Sequence, residues 1–200
     1  MSDSAVTAKR IERRAQARGA VRASILEAAR RVALRDGARN LSLRAVAAEA
    51  GFAPAALYGY FANKDELLLA VAAEDLSTLA RTMREAVAAR HDMGSFAAAT
   101  TAALSLLKDN ETMAAAQAAL SPSADMSEAE RLFNGRMIAI LKILSEATGK
   151  RADSRDSQCD VVLVASALTG LALLARSGRL AALGFATEEI LARLDAHFSH

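Results

Sequence analysis

Apolar residues recur along this chain at intervals of three and four, the period of one helix face, and no stretch alternates long enough to predict a strand. Val21, Ile25, Ala28, Val32 and Ala33 predict a first helix over about 19–35, with Gly37 as a left-handed stop. Ser42 is a good N-cap for a short second helix whose Leu43, Val46, Ala47 and Ala50 form one stripe, and Gly51 ends it. Pro54 suits the first position of a third helix, where its missing N–H is not needed. Phe52 and Leu57 flank it at the two places of a hydrophobic staple. That helix is expected to end near Phe61, after which Asn63 and Glu66 cap a fourth that runs to about Arg90. Further helices are expected over about 95–108, 111–120, 159–176 and 187–198. Ser127 and Glu130 make a capping box for a longer one that reaches Thr148 and is closed by Gly149. Two short helices joined through a glycine-containing turn, with a packing helix before them, form the pattern of a helix-turn-helix unit.

Composition supports this picture. A chain of 200 residues that is 52% hydrophobic can bury a sizeable core, and with 4% aromatics and two prolines its abundant Ala, Leu and Arg favour helices throughout. The start of the chain has no apolar run of the signal-peptide kind, and the single Cys159 cannot close an intrachain disulfide. Both features predict a cytoplasmic protein.

Charge changes the picture more. Residues 1–70 hold 12 Lys and Arg against 7 Asp and Glu, a balance of +5, while the remainder is net acidic. Lys9, Arg10, Arg13, Arg14 and Arg18 precede the first apolar helix as an arm suited either to a polyanion or simply to solvent. Ala53, at the expected N-cap of the third helix, has no side-chain acceptor, and Lys64 sits at the positive end of the fourth. An anion such as phosphate would satisfy both.

The run LSLRAVAAEAGFAPAALYGYFANKDELL, residues 41–68, resembles the DNA-binding signature of the TetR family of bacterial transcriptional regulators: Ala47 ahead of an Ala50-Gly51-Phe52 turn, then Leu57-Tyr58, Phe61 and Asn63-Lys64. The resemblance is close over the first third of the chain and elsewhere extends only to length and helical character. It implies an all-α protein with an N-terminal three-helix helix-turn-helix DNA-binding domain and a larger helical effector-binding and dimerisation domain, about nine helices in all. The expected divisions are an arm over 1–18, the helix-turn-helix domain over 19–66 and the second domain over 67–200, with no flexible linker between the last two.

Carried over by position, the resemblance implies that Ser42, Tyr58, Tyr60 and Lys64 hold phosphates, and that Arg44, Pro54, Ala55, Ala56 and Tyr58 approach base edges. Two departures are visible: the family often has Ser or Thr where Ala53 stands, and commonly His where Tyr60 stands. With so few hydrogen-bonding groups on the third helix, direct readout falls to Arg44 on a guanine edge and to alanine contacts with thymine methyls.

In the second region the fifteen residues VVLVASALTGLALLA, 161–175, carry no charge. A helix apolar on every face must be buried on every face, yet it is short of the ~20 residues of a membrane span. One face is expected to pack on its own core and another on a second copy, with Ala165, Ser166 and Gly170 permitting close approach. The alanine-rich segment 95–120 either packs tightly or leaves a cavity. In the second case Phe96, Leu104, Met113, Phe133, Met137 and Leu141 supply an apolar lining, with Gln117 and Asn134 as polar handles.

The expected protein is therefore a homodimeric repressor released from palindromic double-stranded DNA by a small apolar or aromatic effector, with no cofactor and no membrane partner. The alternative is a helical carrier of apolar ligands without regulatory DNA binding. An enzyme has little support: His91, His197 and His200 lack metal-ligand spacing, Cys159 lies in an apolar helix, and no phosphate loop or nucleophile elbow is present.

Overall fold

The computed structural model describes residues 2–89, 94–110, 112–119, 126–149 and 154–198. Among them the chain is all helical and contains no strand. Its α-helices are α1 (Ser2–Asp36), α2 (Leu43–Ala50), α3 (Pro54–Leu57), α4 (Lys64–Ala89), α5 (Ser95–Lys108), α6 (Thr112–Ala119), α7 (Glu128–Ala147), α8 (Arg155–Arg176), α9 (Arg179–Ala182) and α10 (Thr187–Phe198), with a 3-10 turn at Ala38–Asn40. Of these, α3 and α9 are single turns. Arg90, Glu111 and Leu120, where three helix ends were expected, lie outside the described residues, as do His91 and His200.

The chain divides into two compact units, Met1–Ala72 with Glu111–Glu130, and Ala73–Asn110 with Arg131–His200. In the first unit, α1, α2, α3 and the start of α4 enclose a core of Ile25, Val32, Val46, Leu57, Phe61 and Leu67, each at most 1% exposed. The staple forms, since Phe52 is partly buried against the same cluster that holds Leu57. Ion pairs fix the outer side of α1 against α2: Arg31 Nε lies 2.7 Å from Glu49 Oε1, and Arg35 Nη1 lies 2.9 Å from Glu49 Oε2.

The helix ends follow their side chains. Ser42 Oγ accepts from Ala45 N at 3.1 Å and caps α2. Gly51, at φ 73 and ψ 27, closes it in the left-handed conformation, with Phe52 N donating to Ala47 O and Gly51 N to Ala48 O, the two bonds of a Schellman motif. Gly37 differs from expectation: its φ 82 and ψ 142 put it in an extended, positive-φ region that only glycine occupies readily, rather than in the left-handed helical one. Ser127 and Glu130 form the reciprocal capping box, Glu130 N to Ser127 Oγ at 3.1 Å and Ser127 N to Glu130 Oε2 at 2.7 Å.

Three boundaries shift. α1 starts at Ser2 and not near Gly19, so the basic arm is helix. α8 starts at Arg155 because Ser154 caps it by accepting from Ser157 N. α3 stops at Leu57, and its winding continues only as a tight turn in which Tyr60 N and Phe61 N both donate to Leu57 O.

In the second unit, α8 packs against α5, α9 and α10, and Phe96 of α5 meets Phe198 of α10 with ring centroids 6.4 Å apart. The inner row of α8 is Val161, Val164, Leu168, Leu171 and Ala172, all buried. The opposite face is open, with Val162, Leu163, Leu173 and Leu174 between 37% and 59% exposed. By length and composition α8 could cross a membrane. Cys159, in the polar first part of α8, is exposed.

Hydrogen bonds from Arg31, and next from Arg35, hold the Glu49 carboxyl below its ordinary value of 4.5. Its pairing therefore stabilises the fold fully above that value and is lost as pH falls through the lowered one. Glu49→Gln is expected to lower Tm at pH 7, with the deficit closing on acidification below the usual carboxylate range. Thermal melts across pH check this, and a deficit that persists unchanged at pH 3 contradicts it.

Candidate nucleic-acid interface

Burying Leu57 and Phe61 turns the rest of the segment outward. Pro54, Ala55 and Ala56 on α3 are exposed, as is Tyr58 at 62%. Ser42 and Arg44 at the start of α2 are also exposed, so both ends of the turn present side chains to solvent. Arg44 makes no ion pair among the described residues, whereas Arg30, Arg31 and Arg35 all do. Ala53 is the N-cap of α3 and supplies no side-chain hydrogen bond.

All eight expected DNA-contact residues thus fall in the first unit, over 42–64. Tyr60 is half-buried, packed on the core, with the Arg18 guanidinium 5.1 Å from its ring centroid. Lys64, at the first position of α4, is also half-buried and donates to the Arg39 carbonyl. An ammonium has three donors, so this bond leaves two for another acceptor. Asn63 Oδ1 accepts from Glu66 N at 2.8 Å, and Glu66 Oε2 accepts from Ala62 N at 2.6 Å, so the start of α4 is capped from both sides.

Sequence reasoning missed the role of two arginines. Arg18 Nη2 donates to the Gly59 carbonyl at 2.9 Å besides facing Tyr60, and the Arg22 guanidinium stands 5.3 Å from the Phe61 ring centroid. Both lock α1 to the end of the exposed turn. Arg30 and Arg31 are likewise engaged within the unit, with Glu27 and Glu49. The available signal was their spacing along α1, which puts Arg18 and Arg22 on the face that carries the core residues.

The expected ligand residues scatter more. Phe96, Leu104 and Phe133 are buried in the second unit, and Asn134, Met137 and Leu141 are half-buried there on α7. Met113 is buried in the first unit, and the side chain of Gln117 lies outside the described part of the structure. A separate open cleft of about 410 Å³ in the second unit, lined by Lys108, Arg176, Leu180 and Phe185 among others, shares none of these residues. Of the three expected interface residues on α8, Ser166 and Gly170 are exposed and Ala165 is half-buried. Among the described residues no group of His, Cys, Asp and Glu could hold a metal ion.

Fold and surface together define a helix-turn-helix protein. Residues 25–71 match the family model described as bacterial regulatory proteins, tetR family. The HTH-type nicotine-responsive transcriptional repressor HdnoR of Paenarthrobacter nicotinovorans is 42% identical over 76 residues, a match spanning 38% of this chain and 39% of that one. A protein of unknown function from Rhodococcus sp. RHA1 superposes with a TM-score of 0.69 at 25% identity, over 90% of this chain and 93% of its own. FadR of Bacillus subtilis, solved in complex with stearoyl-CoA, shares the fold with a TM-score of 0.60 at 17% identity, over 86% of this chain and 94% of its own. The likeness to the TetR family of bacterial regulators therefore rests on residues 25–71, and the chain matches about two fifths or less of the length of its curated relatives.

The cap at Asn63 is a point at which the turn can be loosened without touching any exposed contact residue. Asn63→Ala is expected to cost about 1 kcal/mol. Urea unfolding of the purified variant measures this, and no loss of stability would mean that Glu66 alone holds the end of α4.

Proposed function

We propose that this protein is a dimeric, sequence-specific DNA-binding transcriptional repressor, released from a palindromic operator by a small, largely apolar effector. The observation that carries the reading is the exposed set Pro54, Ala55, Ala56 and Tyr58, held outward by the burial of Leu57 and Phe61, beside Arg44 on α2, whose Leu43, Val46 and Ala47 are buried. Residues 19–66 are assigned to DNA, and 67–200 to effector binding and dimerisation. In this assignment α3 enters the major groove, Arg44 reads a guanine edge, and the alanines pack on thymine methyls. Ser42, Tyr58, Tyr60 and Lys64 hold phosphates and set the register without reading sequence.

Dimerisation is assigned to the open apolar face of α8, through Ala165, Ser166 and Gly170 and the exposed leucines and valine beside them. Gly170 has open space where a Cβ would stand, so a partner helix can approach its backbone. The face is better suited to a second copy than to lipid, because Asp156, Asp160 and Arg176 confine the uncharged run to less than a bilayer span. Two half-sites on a symmetric dimer are then separated by a whole number of DNA turns, each about 10 bp.

The effector is assigned to the second unit, to Phe96, Leu104, Phe133, Met137 and Leu141 with Asn134 as a polar handle, while Met113 and Gln117 belong to the first unit and are left out. The acyl chain carried by stearoyl-CoA in B. subtilis FadR supports an apolar ligand for a fold of this kind. Release requires that the ligand favour one conformation over the other; the proposed element of change is α4, whose movement alters the separation of the two reading helices. No catalytic residue is assigned, and the intended setting is the bacterial cytoplasm.

Selection of a random duplex pool at about 0.15 M salt, where non-specific phosphate binding is weak, tests the reading. Enrichment of a palindrome is expected; no enrichment from folded, ligand-free protein moves the apolar-ligand carrier to the front. On the enriched site, Arg44→Ala is expected to relax preference at one base pair per half-site. Lys64→Ala is expected to weaken all sequences alike and lower the salt slope by about one. For the interface, Leu163→Arg is expected to give a folded monomer by sedimentation, with operator binding lost, and a variant that remains dimeric removes α8 from the interface.

A further inference from the structure

α1 is 35 residues long, but its core contacts begin only near Val21. Every residue from Thr7 to Ala20 is exposed, so at 1.5 Å per residue the helix projects on the order of 20 Å beyond the last turn that packs in the unit. Apart from the contacts of Arg18, residues 7–20 gain no stability from burial, and a free helix of this length is marginal in water.

The projecting part continues the face of α1 that packs in the core. Residues four apart lie in one slowly turning row, and Arg10, Arg14, Arg18 and Arg22 lead into the face that carries Ile25, Ala29 and Val32 in the core. The chemistry of the row changes as it leaves the unit. It is apolar at 25–32, cationic over the Tyr60 and Phe61 rings at 18–22, and cationic with no protein partner among the described residues at 10–14. Arg18 anchors the row to the end of the reading turn through the Gly59 carbonyl. Beyond that anchor stand Lys9, Arg10, Arg13 and Arg14 against Asp3 and Glu12. Like charges four apart repel by a few tenths of a kcal/mol per pair, and a polyanion relieves this.

We propose that the projecting end of α1 is a helical cationic rod that lies along the phosphate backbone outside each half-site, extending the footprint past the base pairs read by α3. The proposal rests on the reading of the first unit as a DNA-binding domain. Duplex DNA fits the rod better than a membrane surface does. Between residues 7 and 20 the only large apolar side chain is Ile11, so there is no apolar face to enter a bilayer. The row is also continuous with the candidate DNA surface through Arg18.

The test uses the enriched operator as a minimal duplex and as one lengthened by about ten base pairs on each side, titrated across salt with the full chain and with a variant carrying Lys9→Gln, Arg10→Gln, Arg13→Gln and Arg14→Gln. Glutamine keeps helix propensity, and circular dichroism checks that the fold is retained. Each neutralised phosphate adds about 0.9 to the slope of log affinity against log salt, so the wild-type slope is expected to be steeper by about two or more on the longer duplex. At a difference of two, the advantage of the longer duplex falls about fourfold for each doubling of salt. The variant is expected to retain operator selectivity and lose the dependence on length.

Equal wild-type slopes on the two duplexes, or a variant that keeps the advantage of length, overturn the rod while leaving the operator reading intact. Wild-type protein that binds the operator no better than a scrambled duplex of equal length overturns that reading, and the proposal with it. Co-sedimentation with anionic phospholipid vesicles that is abolished in the variant, while the DNA slopes match wild type, reassigns the rod to a membrane.

Discussion

A single helical turn has no stability of its own, and α3 is four residues long. What holds it is the complete burial of Leu57, backed by Phe61 at 1% exposure, against side chains from α1, α2 and α4. The exposed groups of α3 and its following turn are placed by that packing. Pro54 contributes by fixing its own φ, Phe52 by stapling the entry, and Arg18 by holding the carbonyl of Gly59 at the exit. Loss of the aromatic ring at Phe61 would therefore remove the shape of the turn rather than one of its contacts, which is why the buried members of the segment belong to the fold and not to the site.

Much of this was legible in the sequence wherever a local signal had a unique structural answer. Asn63 with Glu66, Ser127 with Glu130, Ser42 and Gly51 each specify a helix end, and each end is found where the residues place it. The bounds of α5 and α10 also agree with the apolar period. The period fails where helix exists without burial. Residues 2–18 show no apolar stripe, so the start of α1 rests on the propensity of Ala, Arg, Gln and Glu, which apolar spacing does not register. α8 begins before Cys159 for a similar reason, since its first turn is polar and only the Ser154 cap marks it. Side chains of the second region were the least legible. Which apolar residues share a cavity depends on helix packing that no local spacing encodes, and Met113 falls in a different unit from Phe96 and Phe133.

α8 shows how a sequence can specify a surface for which a single chain has no use. Apolar residues all round a helix call for burial all round, yet the chain covers only the row from Val161 to Ala172. Leaving Leu163 at 59% and Leu173 at 56% exposed forgoes stabilisation on the order of a kcal/mol per side chain, a cost that a second helix would remove. The small residues Ala165, Ser166 and Gly170 lie among these larger ones, so close backbone approach and apolar coverage are available on one face.

The same economy of groups bears on how such a protein would read DNA. α3 exposes a proline and two alanines, Tyr58 follows it, and among the residues proposed to approach bases Arg44 alone supplies a bidentate donor, so one unit would offer few base-specific hydrogen bonds. If the proposed dimer forms, discrimination comes from the fixed distance between two such units and from contacts that hold register on the backbone. A reader of this kind depends heavily on spacing, because each half contributes little by itself. That dependence suits regulation: a ligand need not touch the reading surface, since a small change in the separation of two weak modules removes their simultaneous fit.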